Sequence, residues 1–211
     1  MQRDTPAIAP TGRKSAYVAR NRKKILSAAQ EVLAEYGPES TVEAVSEKAE
    51  IAISTIYKHF ETRDALFENA VASSMLDWES WAFSQIDENA TALEKLVTPA
   101  RLLFRIGETH QLYAKMLATN PTVIARALPL LTAHLSQDIR ELVDQGVLEI
   151  DYVEIRIRNL QGAFLQTFLN KLSNPATSNK DVDKGIELAL GLIGINAADA
   201  KAICSKPLSL S

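Results

Sequence analysis

The stretch from Thr41 to Phe67 constrains the fold of this chain more than any other part of the sequence. Its apolar residues fall into two sets at helical spacing, namely Val42, Val45 and Ala49, followed by Ile51, Ile56 and Phe60. Each set is too small to form a core by itself. Two short helices that cross over one shared core satisfy both sets, and this arrangement is a helix-turn-helix.

The polar residues of the second short helix lie on the face that the shared core leaves outside, and they are Ser54, Thr55, Lys58 and His59. Hydroxyl, amine and imidazole groups donate hydrogen bonds to phosphate oxygens and base edges when a helix lies in the major groove. The stretch therefore predicts a surface that binds double-stranded DNA.

Residues 22–70 resemble the DNA-binding region of the TetR family of bacterial transcriptional regulators. The matching positions recur in order: Ile25, Leu26, Ala28, Ala29, Tyr36, Gly37, Thr41, Val42, the run STIYKHF at 54–60, and then Arg63, Asp64, Ala65 and Leu66. The resemblance implies an all-α fold, with an N-terminal helix-turn-helix domain of three helices and a larger C-terminal helical domain for ligand binding and dimerisation. We assign residues 1–19 to a flexible basic leader, 20–67 to the first domain and 68–211 to the second.

The residues predicted to contact DNA share exposure, basic charge or a matching family position: Arg22, Lys23, Thr41, Ile53, Ser54, Thr55, Tyr57, Lys58, His59 and Arg63. The resemblance implies phosphate contacts for Tyr57, His59 and Arg63. The residues alone leave two positions open. Tyr57 can also pack within the domain, and Ile53 can either join the core or touch thymine methyl groups.

Two positions depart from the family's pattern, which usually has Gly where this chain has Glu50 and a capping hydroxyl where it has Ala52. A left-handed backbone costs a non-glycine residue roughly 1–2 kcal/mol, and the loss of an N-cap hydroxyl costs about 1 kcal/mol. The turn is therefore expected either to differ locally or to be held by the surrounding core. Glu50 also places a negative charge close to the expected DNA.

The charge of the chain is unevenly distributed. The net charge of −3, taken alone, argues against nucleic-acid binding. Residues 1–24, however, contain seven Lys or Arg and a single acid, Asp4. A basic arm can lie on phosphates while the acidic remainder faces away, and the affinity should then fall steeply with salt. The alternative is a solvated, disordered tail.

Several classes of site have no sequence signal in this chain. There is no phosphate-binding Gly loop, no nucleophile elbow and no His-Glu-x-x-His motif. The three histidines, His59, His110 and His134, are far apart in sequence. We therefore predict no catalytic residue, no metal and no cofactor. The single cysteine, Cys204, excludes a disulfide within the chain.

No segment of the sequence is predicted to enter a membrane. The longest apolar run, from Leu188 to Ile195, has eight residues, which is too short to cross a bilayer. The N-terminus lacks the apolar core of a secretory signal. We therefore expect a cytoplasmic protein.

The C-terminal region is predicted to be a set of amphipathic helices. A long helix capped by Thr62 runs to about Ser84 and would transmit a tilt from the second domain to the first. Another helix is predicted over 91–107, and Pro99 can kink it. The stripe opposite its apolar side consists of Arg101, Arg105 and Glu108. We interpret this stripe as a solvated face rather than as a clamp for a ligand.

A ligand pocket is predicted between the helices of the second domain. Pockets are mostly apolar with a few polar groups, and the candidate lining residues are Trp78, Trp81, Phe104, His110, Tyr113, Met116, Gln161, Phe164 and Phe168. For each residue the alternative is plain core packing. Support for the pocket as a whole comes from the resemblance, which implies a small-molecule effector.

The last two long helices are apolar on two sides, so each needs two packing partners. One partner is the protein's own core, and the second is predicted to be another copy of the chain. The residues assigned to this homodimer interface are Ile155, Gly162, Leu165, Leu169, Leu188, Leu192 and Ile195. The alternative is a larger core within one chain.

These features predict a ligand-responsive regulator, most simply a repressor that binds a palindromic operator and is released by a small-molecule effector. A second hypothesis is a small-molecule-binding or adaptor protein whose helix-turn-helix no longer binds DNA, as Glu50 and Ala52 would allow. No enzymatic activity is predicted.

Overall fold

The computed structural model describes the backbone of residues 11–174 and 176–210, with the side chains of residues 15–120, 132–174 and 176–210. This described part is all-α, as predicted, and its helices are α1 Thr11–Tyr36, α2 Val42–Ala49, α3 Ile53–His59, α4 Arg63–Ser84, α5 Ala92–Leu103, α6 Ile106–Thr109, α7 Gln111–Thr119, α8 Pro121–Asp144, α9 Val153–Ser173, α10 Asn179–Leu190 and α11 Ala197–Ser205. Two 3₁₀ turns, Gly37–Glu39 and Gly191–Ile193, follow α1 and α10.

Two helix boundaries differ from the sequence prediction, and one further helix was not predicted. α1 begins at Thr11 rather than near Tyr17, so it takes in residues assigned to the leader; leader residues 1–10 lie outside the described residues. The helix predicted over 91–107 ends at Leu103, and α6 follows as a separate turn. The C-terminal helix α11 has no counterpart among the predicted helices.

The N-cap of α2 is Thr41 and not Ser40, although Ser40 and Glu43 have the spacing of a capping box. The Thr41 hydroxyl oxygen accepts a hydrogen bond from Ala44 N at 3.2 Å. Ser40 is buried instead, and its hydroxyl lies within hydrogen-bonding distance of Val32 O and Gly37 O. Burial of Ser40 therefore closes the α1–α2 connection, while Thr41 starts the helix.

The turn between α2 and α3 keeps a left-handed backbone without glycine, which agrees with the second of the two expected alternatives. Glu50 has φ 52° and ψ 42°. Ser46 holds the turn from both of its ends, because Ser46 O accepts from Ile51 N at 3.1 Å and the Ser46 hydroxyl donates to Ile51 O at 2.8 Å. Lys24 lies 3.3 Å from the Glu50 carboxylate. The surrounding structure therefore holds a residue that is unfavourable for this conformation.

The N-cap of α3 is a site where stability can be gained. Ala52 occupies the cap position and no side chain caps the helix. Replacing Ala52 by Ser is expected to raise the free energy of unfolding by about 1 kcal/mol, because a hydroxyl would pair one of the free backbone N–H groups. Urea unfolding measures this gain. Ala202→Ser, at an exposed position inside α11, is the matched control and should lose about 0.5 kcal/mol through helix propensity. Equal effects of the two changes would contradict the capping argument.

The two domains are joined through α1 as well as through α4. The carboxyl end of α7 lies against the carboxyl end of α1, where the buried Asn120 amide donates to Leu33 O at 3.2 Å. Gly37, with φ +57°, lies so close that a Cβ there would be 3.0 Å from Thr119 O. Residues on α7 therefore contact the end of α1 directly.

The second domain places α10 between α9 and α11, and α11 also packs against α5. Asn196 caps α11 by accepting from Asp199 N at 2.9 Å. Ala200, Ile203 and Cys204 are the buried face of this helix. Burial raises the pKa of the Cys204 thiol to about 11, so this cysteine is a packed thiol and not a reactive one.

Candidate nucleic-acid interface and ligand pocket

α3 presents three polar side chains to solvent on one face. Ser54, Tyr57 and Lys58 are exposed, with Tyr57 at 47% of its free surface. Their spacing of three and four residues puts them side by side on the helix. Ile56, on the opposite face, is 1% exposed and fixes the helix in the core. The outward face is thus a rigid row of a hydroxyl, a phenol and an amine.

The other α3 residues predicted to contact DNA lie at the edge of this row. Thr55, His59 and Ile53 are half-buried, and Ile53 packs against the core. The structure thus places Ile53 at the boundary between its two predicted roles. Two further predicted residues, Lys23 on α1 and Thr41 at the start of α2, are exposed.

Arg22 is half-buried and bonds to its own domain, so its phosphate contact stays a prediction. Its guanidinium donates to Asn69 Oδ1 at 2.7 Å and to His59 O at 3.4 Å. The same group lies 4.4 Å from the centre of the Phe60 ring. Arg22 therefore fastens the end of α3 to α1 and α4, a role that the basic charge of the sequence did not reveal.

Arg63 is exposed, with 45% of its side-chain surface accessible, and its phosphate contact stays a prediction although its guanidinium also bonds within the domain. Its Nε and Nη2 donate to Ser40 O at 3.0 and 2.8 Å, and Nη2 also donates to Pro38 O at 2.9 Å. Its Nη1 lies 3.2 Å from Asp64 Oδ1. Arg63 therefore ties the start of α4 to the connection between α1 and α2.

A cavity of about 90 Å³ lies among α4, α5, α8 and α9. Of the predicted pocket residues, five line it: Trp78, Phe104, Gln161, Phe164 and Phe168. The Phe104 ring meets the Phe164 and Phe168 rings edge to face, with centroids 6.1 and 6.0 Å apart. Further lining residues that the sequence reasoning missed include Leu103, His134, Leu135, Asp138 and Leu165.

The other four predicted pocket residues do not line this cavity. Met116 and Tyr113 are buried in the core, at 0% and 3% exposure. Trp81 and His110 contact each other edge to face at 4.9 Å between ring centroids. The sequence does not reveal which residues of these helices border a gap and which are enclosed.

The cavity is apolar with a few polar groups at its wall. Trp78 Nε1 is buried and has no hydrogen-bond partner among the described residues. Gln161 Nε2 donates to Ser136 Oγ at 2.8 Å, and His134 Nδ1 lies 2.5 Å from Glu79 Oε1. Burial, and then the charge of Glu141, raise the pKa of the Asp138 carboxyl. The wall therefore offers an unused indole donor and a carboxyl that is biased towards its neutral form.

The predicted dimer residues divide into exposed and packed ones. Leu188 is 69% exposed and Ile155 is 47% exposed, and Gly162 is also exposed. Leu165, Leu169 and Leu192 are half-buried. The exposed members give α9 and α10 apolar surface that the described part of the chain does not cover.

Ile195 is a correction to the predicted interface. It is 5% exposed, because the left-handed turn at Gly194 returns the chain to the core. Its backbone N–H donates to Leu190 O at 3.3 Å. Ile195 therefore packs inside its own protomer and is not available to a partner.

Both arginines of the stripe predicted to be solvated, Arg101 on α5 and Arg105 just before α6, are buried, and this prediction was wrong for them. Arg101 and Arg105 are each 4% exposed. Asp183 of α10 lies between them, 3.0 Å from Arg101 Nε and 2.5 Å from Arg105 Nη2. Only Glu108 of the stripe is exposed. The physical reason is that α10 and α11 cover this face of α5.

The described residues contain no group of three or more His, Cys, Asp or Glu that could hold a metal ion. Among the helices that the structure describes, none combines the length and apolarity that a bilayer crossing needs.

Comparisons with known proteins agree with this geometry. Residues 25–70 match the family described as bacterial regulatory proteins, tetR family. No curated protein sequence matches the chain.

Solved structures share the fold over most of the chain. A crystal structure of RolR in complex with the ligand resorcinol has a TM-score of 0.64 and 19% identity, covering 93% of this chain and 100% of that one. The fatty acid degradation regulator FadR from Bacillus halodurans has a TM-score of 0.66 and 20% identity, covering 81% and 94%. A putative tetR family transcription regulator from Shewanella sp. PV-4 has a TM-score of 0.61 and 14% identity, covering 82% and 95%. Residues 25–70 thus match a tetR-family domain, and the chain shares its all-helical fold with these solved structures.

Proposed function

We propose that the protein is a homodimeric, ligand-responsive repressor that binds a palindromic operator in the cytoplasm. The observation that carries the proposal is the outward row of Ser54, Tyr57 and Lys58 on a helix whose other face is fixed in the core. A firmly held helix of this kind can enter a major groove as a rigid unit. Lys23 and Thr41 would add phosphate contacts beside the groove.

A homodimer would present two such helices at a fixed separation. The exposed apolar residues Ile155 and Leu188 support an interface formed by α9 and α10. A twofold interface brings the same surface of both chains together, so the two DNA-binding domains would be related by the same axis. A palindromic site with half-sites about one helical turn or a multiple apart would match that symmetry.

The cavity beside Trp78 would hold the effector. At about 90 Å³ it is small, below the common range of roughly 300–1,000 Å³ for ligand pockets. A single-ring molecule is therefore the best match in size. Trp78 Nε1, which has no hydrogen-bond partner among the described residues, favours a ligand that carries a hydrogen-bond acceptor. The structure of RolR with resorcinol gives an example of a similarly folded protein that binds a ligand of this size.

Two helices would carry the effector signal to the DNA-binding domain. α4 borders the cavity through Trp78 and Ala82, and it begins at the Arg63 contacts with the first domain. α7 borders the cavity through Leu117, and its last residue, Thr119, lies against α1. A ligand that binds one arrangement of these helices better than the other would shift the equilibrium towards that arrangement and so change the spacing of the two α3 helices. The shift in free energy is no larger than the difference between the ligand's binding free energies for the two arrangements.

Glu50 is the observation that favours the second candidate, a ligand-binding or adaptor protein without DNA binding. Its side chain is 84% exposed and lies in the turn just before α3. A carboxylate at that place would repel phosphates. Lys24, 3.3 Å away, offsets part of that charge.

The two candidates differ in the effect of changing α3. A duplex selected from random DNA, or taken from upstream of the coding region, would be titrated by fluorescence anisotropy. Tyr57→Ala and Lys58→Ala are each expected to weaken binding about tenfold, because a contact to DNA contributes roughly 1–3 kcal/mol. If Lys58 contacts a phosphate, Lys58→Ala should also reduce the slope of the logarithm of the binding constant against the logarithm of the salt concentration by about one, in magnitude.

Lys95→Ala, an exposed lysine on α5, is the matched control and should leave the affinity unchanged. Circular dichroism and sedimentation would verify that each variant is folded and has the association state of the wild type. Unchanged affinity in both α3 variants would remove the roles assigned to Tyr57 and Lys58. Absence of binding by the wild type would support the adaptor candidate.

A further inference from the structure

A second cleft, separate from the effector cavity, lies where α5, α10 and the C-terminal segment meet. It has a volume of about 790 Å³. The basic side chains that line it are Arg101, Arg105, Lys180, Lys184, Lys201 and Lys206. The acidic ones are Asp181, Asp183 and Glu187. The lining residues therefore carry an excess of three positive charges in a protein whose net charge is −3.

The floor of this cleft holds two buried guanidinium groups and one carboxylate between them. Arg101 and Arg105 both pair with Asp183, whose side chain is 19% exposed. Glu187 is also at the cleft but pairs with Lys184 at 2.6 Å. A buried charge without a counter-charge is unfavourable. One positive charge at the floor is thus not balanced by the partners described for it.

The two arginines differ in how their donors are used. Arg101 donates to both oxygens of Asp183 and, through Nη1, to the carbonyls of Ile203 and Lys206. Arg105 donates through Nη2 to Asp183. Arg105 Nη1 is buried and has no acceptor among the described residues. An unused N–H on a buried guanidinium requires an acceptor, and an anionic acceptor would also balance its charge.

We propose that this cleft binds a small oxyanion, the phosphate or carboxylate group of a metabolite, at Arg105. The Arg105 guanidinium would turn its covered Nη1 donor towards the cleft to hold the anion, with help from the rim lysine Lys201 and from Lys184 once it leaves Glu187. Asp183 would stay paired with Arg101, because its two carboxylate oxygens already accept hydrogen bonds from Arg101 Nε and Nη2. The site is distinct from the effector cavity, since α5 separates them: Leu103 and Phe104 border the cavity, while Arg101 and Arg105 border the cleft.

The test is the thermal unfolding of the full chain in a concentration series of sodium phosphate, sodium acetate and sodium chloride at matched ionic strength. Binding to the folded state raises the Tm with ligand concentration. Phosphate or acetate is expected to raise the Tm above the chloride series, and the more effective anion identifies the group that the cleft prefers. Equal Tm values in all three salts at every concentration would overturn the proposal.

Two variants locate the effect. Arg105→Gln is expected to weaken the apparent affinity about tenfold or more, because it removes a charged hydrogen bond. Arg140→Gln, which breaks an exposed pair with Glu154, is the matched control and should respond as the wild type does. A full response in Arg105→Gln would place the anion elsewhere and overturn the proposal.

If Arg105→Gln does not fold, the double variant Lys184→Gln with Lys201→Gln decides instead. Both lysines are exposed at the rim of the cleft. Removing both charges is expected to weaken the apparent affinity for the anion roughly several-fold, because each exposed charge contributes little. An unchanged response would count against the cleft as the site.

Discussion

Replacing Asp183 by Asn is expected to lower the free energy of unfolding by about 3–5 kcal/mol, which is the usual effect of removing one partner from a buried ion pair. Asn has nearly the shape of Asp but carries no charge, so the two guanidinium groups of Arg101 and Arg105 would stay buried without a carboxylate. The loss should lie near the lower end of that range, because the Asp183 side chain is 19% exposed. Urea unfolding in a chloride buffer without phosphate or carboxylate measures it.

Asp151→Asn provides the matched control for this change. Asp151 pairs with Arg156 at 2.9 Å, but its side chain is 69% exposed. Exposed pairs contribute at most about 1 kcal/mol. Similar losses for the two variants would show that Asp183 is not the buried centre on which α5, α10 and the C-terminal segment depend.

Replacing Gly37 by Ala is expected to lower the free energy of unfolding by about 2–3 kcal/mol. The left-handed backbone at φ +57° accounts for roughly 1–2 kcal/mol of this loss. The rest comes from the new methyl group, which would lie 3.0 Å from the backbone oxygen of Thr119 and would push α7 away from α1. Thermal and urea unfolding both measure the change.

Gly107→Ala is the control for the Gly37 change. Gly107 lies in α6, and a Cβ added there meets nothing within 4 Å. The substitution should be neutral or stabilise the protein by about 0.4–1 kcal/mol, because alanine restricts the unfolded chain. A Gly37→Ala protein as stable as the wild type would mean that α7 does not press on α1.

The same contact carries a consequence for regulation. Thr119 and Asn120 connect the end of α7 to Leu33 of α1. Under the proposed function, a Gly37→Ala protein that stays folded should bind DNA with an altered affinity even without effector, because its α1–α7 spacing is changed.

The helices of the DNA-binding domain could be predicted because their signals are local. Val42, Val45 and Ala49 lie within eight residues, and the structure buries all three. The departure at Glu50 was also informative, since the left-handed turn is formed there without glycine. Sequence spacing and turn chemistry act over a few residues, so a single sequence contains them.

The arginines could not be placed from the sequence because their partners are distant. Arg101 pairs with a residue 82 positions away, and Arg63 bonds to carbonyls that precede it by 23 and 25 positions. A backbone carbonyl is present at every residue, so no sequence pattern marks it as an acceptor. A basic stripe on an amphipathic helix is usually solvated, and only the packing of α10 and α11 onto α5 made this one buried.

The cavity was predicted only in part for a related reason. Phe104 and Met116 have the same inward periodicity, yet Phe104 borders a gap and Met116 is enclosed. Whether neighbouring side chains fill the space between helices depends on the crossing of those helices, which a single sequence does not specify.

The most direct test of the account is the affinity of the wild-type chain for its selected duplex as a function of potassium chloride concentration. We predict specific binding. The logarithm of the binding constant should fall linearly with the logarithm of the salt concentration, because Lys58, Lys23 and other basic residues of α1 would displace counterions from several phosphates. Failure to bind any duplex at low salt, or an affinity that does not change with salt, would contradict it.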